Sequence, residues 1–199
     1  MENLDAVSDS GNQTPGRPPP LDRPAWVKAA LAILADEGPG GLRVEVLAKK
    51  LQVTKGSFYW HFKDRRDLVD AVLDEWKEGR IRDIRKQTRA KPGEEFAALL
   101  HTIDVYSASR NQRGLPIELA VREWARHDAR AAEVVEEVDS ERLACAVRLY
   151  QARGLSDDEA AARSVLLYAY VFGFSLMRCD RFATDMPAVK DWISRKIAG

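Results

Sequence analysis

The chain has 199 residues, of which 45% are hydrophobic and 31% are charged, a composition typical of globular domains. Its formal net charge is zero, which excludes a protein that coats nucleic acid through charge alone. No apolar run reaches the roughly 18 residues of a membrane span, and no basic-then-apolar leader is present, so we expect a cytoplasmic protein without a membrane partner. Cys145 and Cys179 form no CxxC motif and are expected to stay reduced.

The first predicted elements are a polar tail and a capped helix. Residues 1–20 are rich in Ser, Asp, Gly, Asn and Pro, so we expect them to be disordered. Asp22 is a candidate cap for a helix that runs to residue 37 and ends in a Gly-Pro-Gly-Gly turn. The inner face of this helix carries Trp26, Ala30, Ile33 and Leu34.

Residues 44–68 predict two short helices joined by a three-residue turn. The first helix has one apolar face at helical spacing, formed by Val44, Leu47, Ala48 and Leu51. The next three residues break this pattern, and the Thr54 hydroxyl is predicted to cap a second helix over residues 55–62. Phe58 and Phe62, four positions apart, would pack against the first helix as in a helix-turn-helix unit.

Positive charge is concentrated on the same segment. Between Lys49 and Arg66 there are six basic residues and one acidic residue, in a chain whose net charge is zero. Helix formation does not require this excess of positive charge, whereas a surface that faces DNA phosphates does. The alternative is a solvated pair of amphipathic helices with a chance run of basic residues.

The motif over residues 53–68 resembles the DNA-binding domain of the TetR family of one-component transcriptional regulators. The match includes a Tyr-x-His-Phe core, which starts here at Tyr59, and the whole resemblance covers residues 24–76. It departs at Gln52, where the family often has a glycine in a left-handed turn, and at Arg65, where a lysine is common. Farther along the chain the likeness is limited to length and helical layout.

The resemblance implies that the exposed face of the second helix contacts a double-stranded DNA operator. Base reading would fall to Thr54, Lys55 and Ser57, with the glycine between them permitting close approach. Tyr59 and His61 would donate to phosphates, although Tyr59 alternatively only packs on the first helix. The predicted DNA-binding set is Arg43, Thr54, Lys55, Gly56, Ser57, Tyr59, Trp60, His61, Lys63 and Arg65.

The rest of the chain is helical by pattern, without strand alternation. A capping box at residues 64–67 begins a long helix that runs to residue 87. Further helices are predicted over residues 94–106, 115–127, 131–153, 156–178 and 186–197. These elements predict an all-α, TetR-like fold. Its parts would be a disordered tail at 1–20, a three-helix helix-turn-helix domain at 21–66 and a helical bundle domain at 67–199.

Aromatic side chains are frequent in the C-terminal half, where they fill either a ligand chamber or only a core. The resemblance implies an effector pocket in this half. Its predicted lining is Phe96, Leu100, Ile103, Tyr106, Trp124, Tyr168 and Phe172. These residue types favour a partly apolar, uncharged or weakly charged small molecule, because buried charge without a partner is costly. His101, Arg122 and Glu123 are candidates to orient a polar end of it.

The predicted helices 131–153 and 156–178 carry features of a dimer interface. A small-x-x-x-small step at Ala169 and Gly173 allows close approach of another helix. An apolar strip on the earlier helix consists of Leu143, Val147 and Tyr150. The alternative is that these two helices only pack on each other within one chain. The resemblance implies a homodimer with a four-helix interface, which would present two recognition helices about 34–36 Å apart to a near-palindromic operator.

Motifs for catalysis, metal binding or cofactor binding are missing from the sequence. The three histidines lie far apart, and no HExxH, GxGxxG, P-loop or Ser-centred elbow occurs. We therefore expect no enzyme, no cofactor and no metal site. The predicted function is DNA-binding regulation under control of an effector, with repression as the usual family outcome. The alternatives are a helical DNA-binding or interaction protein without an effector and, less favoured, an enzyme that handles a small molecule.

Overall fold

The computed structural model describes residues 21–107, 114–179, 181–182 and 185–199. The helices are α1 (Arg23–Glu37), α2 (Val44–Lys50), α3 (Lys55–Phe58), α4 (Arg65–Gln87), α5 (Glu95–Ser107), α6 (Gly114–Ala125), α7 (Ala129–Ala152), α8 (Asp157–Leu176) and α9 (Met186–Ala198). The described ranges contain no strand, and the all-α prediction is confirmed. None of the helices in these ranges combines the length and apolar character that crossing a membrane requires. The tail predicted at 1–20 lies outside the described residues.

Side-chain caps fix where the main helices begin. The Asp22 carboxylate accepts a hydrogen bond of 2.9 Å from the backbone N–H of Ala25, and α1 starts there. Asp64 caps α4 in the same way, accepting from the N–H of Asp67 at 2.9 Å, and Ser156 caps α8. Each such cap is worth about 1 kcal/mol of helix stability. These three starts agree with those predicted from the sequence.

The start of α3 differs from the prediction. Thr54 occupies the cap position, but its hydroxyl accepts no capping hydrogen bond. The N–H of Ser57 bonds instead to the backbone carbonyl of Thr54, at 3.1 Å. The donor that the hydroxyl was predicted to satisfy is therefore already used, and the predicted side-chain cap is wrong.

Helix α3 is also shorter than predicted, because it ends at Phe58 rather than at residue 62. One more turn is closed by a hydrogen bond of 3.0 Å from the N–H of Phe62 to the carbonyl of Phe58. The next N–H, that of Lys63, bonds to the Asp67 carboxylate at 2.9 Å and so leaves the helical pattern. The side chain of Asp67 thus ends one helical segment while it lies in the first turn of α4.

The buried apolar side chains form two cores. The N-terminal core joins α1, α2 and α3 to α4, and it continues into α6 through Val121 and Trp124 and into α7 through Val134 and Val138. The C-terminal core lies among α5, α7, α8 and α9. Helices α4 and α6 therefore pack both on the helix-turn-helix region and on the bundle. This arrangement places them between the two candidate sites.

Candidate functional site

Helix α3 is fixed to the N-terminal core by two aromatic side chains. Phe58 and Phe62 are 0% and 1% exposed, and their rings stack with centroids 5.2 Å apart. Trp26 of α1 meets the Phe58 ring edge-on at 5.5 Å. The predicted burial of both phenylalanines is confirmed. Because this side of α3 is buried, the opposite side faces outward.

The turn between α2 and α3 depends on a residue in the left-handed conformation. Gln52 has a φ of 57°, and it is the one non-glycine residue with positive φ among those described. The N–H of Val53 then bonds to the carbonyl of Ala48 at 2.9 Å, which closes the end of α2. A non-glycine residue in this conformation costs about 1 kcal/mol. The left-handed conformation that the family resemblance implies for this position is confirmed.

The outward side of α3 and of the turn after it exposes large aromatic side chains. Tyr59 is 62% exposed and Trp60 is 87% exposed. Tyr59 touches the edge of the Phe58 ring at 5.2 Å, but packing alone does not account for a ring that is mostly in water. Thr54 and Lys55 are also exposed. This side of α3 is therefore a free surface with aromatic, hydroxyl and basic groups.

Gly56 lies in the middle of this surface without a structural reason to be glycine. Its φ lies outside the left-handed region, and a Cβ added there would meet only the Thr54 hydroxyl, at an ordinary 3.7 Å. Glycine inside a helix costs about 0.5–1 kcal/mol relative to alanine. Neither the backbone nor the packing of the chain explains this cost. Close approach of a partner to the α3 backbone would explain it.

Exposed basic side chains are frequent in α3 and in the segments next to it in sequence. Lys55 bonds to the Glu45 carboxylate at 2.8 Å, and this hydrogen bond lowers the pKa of Glu45. Other exposed basic side chains form no salt bridge with the described residues: Arg43, Lys49, Lys63 and Arg66. Unpaired surface cations of this density favour a polyanionic partner.

Arg65 has contacts within the protein. Its Nε donates to the carbonyl of Leu42 at 2.7 Å, and its Nη2 donates to the carbonyl of Pro39 at 3.2 Å. These bonds tie the loop after α1 to the first turn of α4. The guanidinium keeps further N–H donors, so the predicted phosphate contact stays a prediction.

Arg23 holds the end of the α3 turn in place, a role that the sequence reasoning missed. Its guanidinium donates to the carbonyl of His61 at 2.6 Å and to the Asp67 carboxylate at 2.7 Å, and it lies 4.3 Å from the centre of the Phe62 ring. The hydrogen bond from Arg23, followed by that from the Lys63 N–H, lowers the pKa of Asp67. The partners are 38 and 44 positions away in sequence. The capping box that contains Asp67 was the one available signal.

The residues predicted to line an effector pocket do not all come together. Tyr106, Tyr168 and Phe172 form an aromatic cluster with ring centroids 6.1–6.4 Å apart. The C-terminal core also holds Phe96, Leu100 and Ile103. Trp124 belongs to the N-terminal core instead, so the structure does not bring it to the three clustered rings.

A cavity of about 230 Å³ opens beside two of the clustered rings, Tyr168 and Phe172. Its wall includes Arg122, one of the predicted candidates to orient a polar end, and Arg142, which the sequence reasoning missed. The other predicted candidates are exposed: His101 and Glu123. The polar groups at the cavity are thus these two arginines, the Asp139 carboxylate and the Tyr168 hydroxyl.

Exposed apolar side chains occur along α8, in the segment after it and on α9, and we call this set the α8–α9 face. It consists of Val165, Leu166, Leu176, Met177, Phe182 and Trp192, each between 54% and 64% exposed. An apolar groove of about 530 Å³ runs along it, next to Ala169 and Gly173. The strip predicted on α7 is used within the chain, since Tyr150 is fully buried and Leu143 and Val147 pack on the C-terminal core.

The N-terminal part of the chain is similar in sequence to known regulators. Residues 27–72 match the family described as bacterial regulatory proteins, tetR family. The tetracycline repressor protein class C of Escherichia coli is 43% identical over 54 residues, 27% of this chain and 25% of that protein. The HTH-type transcriptional regulator AcrR of Shigella flexneri is 34% identical over 71 residues, 35% of this chain and 33% of that protein. The chain thus matches a quarter to a third of the length of these relatives.

Solved structures resemble nearly the whole fold. A transcriptional regulator of Rhodococcus sp. Rha1 has a TM-score of 0.68 and 18% identity, over 89% of this chain and 92% of that chain. A regulator of the TetR/AcrR family from Thermobifida fusca has a TM-score of 0.59 and 18% identity, over 89% of this chain and 96% of that chain. These structures establish the fold of the helix-turn-helix region and of the bundle.

Proposed function

The chain belongs to the TetR family of bacterial regulatory proteins, and from this premise we propose that it is a transcriptional regulator that binds DNA as a homodimer. Its helix-turn-helix domain would bind a near-palindromic operator, and a small molecule held by the bundle would control the affinity. Repression, relieved by that molecule, is the proposed outcome. The protein would act in the cytoplasm and without catalysis.

The observation that carries the proposal is the outward side of α3. A glycine that the fold does not need lies there, three and four positions before the mostly exposed Tyr59 and Trp60. Exposed basic side chains in the neighbouring segments form no salt bridge with the described residues. The buried Phe58 and Phe62 hold this surface in one orientation. A rigid basic helix face of this kind suits the major groove, with Lys and Tyr side chains on the phosphates.

The proposed homodimer is supported by the α8–α9 face. Large apolar side chains on a monomer's surface favour an interface when they form a contiguous patch. Ala169 and Gly173 are exposed on the same face, and nothing lies within 4 Å of where a Cβ of Gly173 would be. A second copy of α8 could therefore approach closely. Two copies related by a twofold axis would present two α3 helices to one side of the DNA.

Effector control is supported by the two helices that pack on both halves of the molecule. Helix α6 carries Val121 and Trp124 in the N-terminal core, and the same helix carries Arg122 in the cavity wall. Helix α4 begins directly after the helix-turn-helix unit and continues beside α7. A ligand that binds better to one arrangement of α4 and α6 would shift the separation of the two α3 helices.

The proposal is tested first by selection of DNA from a random library with the purified protein. We expect enrichment of a near-palindrome whose half-sites are about 10 base pairs apart. The variant Gly56→Ala should then lower the affinity for the selected DNA about tenfold, which corresponds to about 1.4 kcal/mol. Its thermal stability should stay the same or rise, because alanine favours the helix.

Gly79→Ala is the matched control. Gly79 lies inside α4, and a Cβ there would meet only Arg82 Nη2, at 3.7 Å. This variant should also keep or raise the thermal stability, but it should leave DNA affinity unchanged. If both variants bind the selected DNA as tightly as the wild type, the α3 surface is not the DNA contact.

A further inference from the structure

A charge cluster lies inside the C-terminal bundle, where three arginines meet two carboxylates. Arg80 comes from α4, Glu118 and Arg122 come from α6, and Asp139 and Arg142 come from α7. Arg142 and Glu118 are only 1% and 2% exposed. Burying ionised groups is costly, so such a cluster needs either a structural or a ligand-binding explanation.

The two carboxylates are shared among the guanidinium groups. Glu118 accepts from Arg142 Nη2 at 2.7 Å and from Arg122 Nε at 2.8 Å, and Arg80 Nε lies 3.4 Å from one of its oxygens. Asp139 accepts from both Nη atoms of Arg122, at 2.6 and 2.9 Å, and from Arg142 Nη1 at 2.7 Å. Every carboxylate oxygen in the cluster therefore already accepts a hydrogen bond.

Hydrogen-bond donors remain after the acceptors are used. Arg122 and Arg142 donate from all three of their nitrogens, yet each Nη carries a second N–H. Arg80 Nε is buried without a hydrogen bond. The Tyr106 hydroxyl accepts from Arg80 and Arg142, at 2.9 and 3.3 Å, and keeps its own O–H. Among the described residues, the cluster thus has more N–H and O–H donors than carboxylate oxygens to receive them.

The cluster also has more positive than negative charge. A further carboxylate, that of Asp83, lies 3.7 Å from Arg80 and is 53% exposed, so water screens it. Burial opposes the charge of Arg142, but the attraction of Glu118 outweighs it and raises the pKa, so this guanidinium stays cationic. An excess cation in a buried site is stabilised by an added anion.

The cavity beside the cluster can hold such an anion. Its volume of about 230 Å³ is below the roughly 300–1,000 Å³ of sites for drug-sized ligands, so the ligand must be small. Leu143 and Val165 form an apolar wall, and the Arg122 guanidinium lies 4.3 Å from the centre of the Phe172 ring. The Asp139 carboxylate also lines the cavity, where it is bonded to Arg122 and Arg142. Burial raises the pKa of Tyr168, so its hydroxyl stays protonated and able to donate.

We propose that the bundle binds a small organic monoanion, a carboxylic acid with a short apolar body, whose carboxylate lies between Arg122 and Arg142. The apolar body would contact Leu143 and Phe172. This inference rests on the proposed function, because it names the chemical class of the effector. It replaces the uncharged or weakly charged molecule that the aromatic residues alone favoured, since the lining also contains Arg122 and the buried Arg142.

Binding of a carboxylate would change contacts on the two helices that reach the helix-turn-helix domain. The ligand competes with Glu118 of α6 and with Asp139 of α7 for Arg122 and Arg142. Glu118 freed from them has Arg80 of α4 as its remaining partner, 3.4 Å away. The ion pairs would therefore redistribute among α4, α6 and α7. This provides the difference in ligand affinity between two arrangements that effector control requires.

The test uses probes of one shape and different charge: benzoate, benzamide and benzylamine, with hexanoate and hexanamide as an aliphatic pair. Calorimetry on the full-length protein should give each acid at least tenfold tighter binding than its amide, and no binding of the amine. Arg122→Gln should remove the preference for acids. Arg163→Gln, which changes a partly exposed α8 arginine paired with Glu159, is the control and should keep that preference.

A second variant tests the same cavity in case Arg122→Gln does not fold. Tyr168→Phe removes one hydroxyl at the cavity and no charge, and it should weaken acid binding severalfold while circular dichroism stays unchanged. Equal affinity for acids and amides, or no binding of any acid to the wild type, would overturn the proposal. Acid binding that leaves affinity for the selected DNA unchanged would overturn the effector role. Failure of the DNA selection would contradict the proposed function, while calorimetry still decides the ligand class.

Discussion

The helix-turn-helix region and the C-terminal bundle distribute polar and apolar groups in opposite ways. Around α3 the aromatic side chains Phe58 and Phe62 are inside and the basic side chains are outside. In the bundle an ion cluster around Arg142 is inside, and apolar side chains such as Leu166 and Trp192 are outside. The comparison suggests that one region offers charge to a polyanion, whereas the other offers an apolar face to a second subunit and buried charge to a small ligand.

The largest expected effect is the loss of folding stability caused by a substitution on the buried side of the helix-turn-helix region. Phe58→Ala should lower the free energy of unfolding by about 3–5 kcal/mol, because a fully buried ring is removed. Trp60→Ala, two positions away and 87% exposed, should change it by less than about 0.5 kcal/mol but should weaken DNA binding. Urea denaturation of both variants checks the difference. Equal loss of stability would mean that the two sides of α3 are assigned wrongly.

The second prediction concerns substitutions on the α8–α9 face of the bundle. Leu166→Glu combined with Trp192→Glu places carboxylates on the α8–α9 face, so it should convert the homodimer into a 22.4 kDa monomer. Sedimentation at micromolar protein concentration measures this. Trp60→Glu, an equally large apolar-to-acid change on the helix-turn-helix region, is the control and should remain dimeric. A wild type that sediments as a monomer would already exclude the proposed interface.

The two regions also differ in how much of their structure could be predicted from the sequence alone. The burial of Phe58 and the turn at Gln52 follow from patterns within a few neighbouring residues, and both were predicted. The pair of Glu118 and Arg142 spans 24 positions, and no local pattern distinguishes it from ordinary surface charge on amphipathic helices. Trp124 shows the same limit, because the helical pattern gave its inward direction but not which of the two cores it would join.

The third prediction concerns the charge around α3. Lys63→Ala should weaken binding to selected and unrelated DNA by a similar factor, because a phosphate contact carries no sequence information. It should also reduce the slope of log affinity against log salt by about one. Lys86→Ala, the same change on an exposed residue at the far end of α4, should alter neither quantity. A shift in base preference in Lys63→Ala would contradict the assignment to the backbone.

The smallest expected effect concerns the Arg23–Asp67 contact and pH. The folded-state pKa of Asp67 is lowered, so its contribution to stability is complete above the ordinary pKa of 3.8 and is lost as pH falls through the lowered value. Thermal melts should therefore show a shallower loss of stability below about pH 5 in Asp67→Asn than in wild type. For a partly exposed pair we expect about 1 kcal/mol or less. The same dependence of melting temperature on pH in Asp67→Asn and wild type would show that the Arg23–Asp67 contact is not stabilising.

The central claim is that two copies of α3 bind one DNA molecule side by side. Hydroxyl-radical footprinting of the wild type on the selected DNA tests it most directly. We expect two protected patches on one side of the duplex, about 34–36 Å apart and symmetric about the centre of the near-palindrome. Both patches should weaken together in Gly56→Ala and persist in Gly79→Ala. A single patch, or protection that is unchanged in Gly56→Ala, would contradict binding of one DNA molecule by two α3 helices.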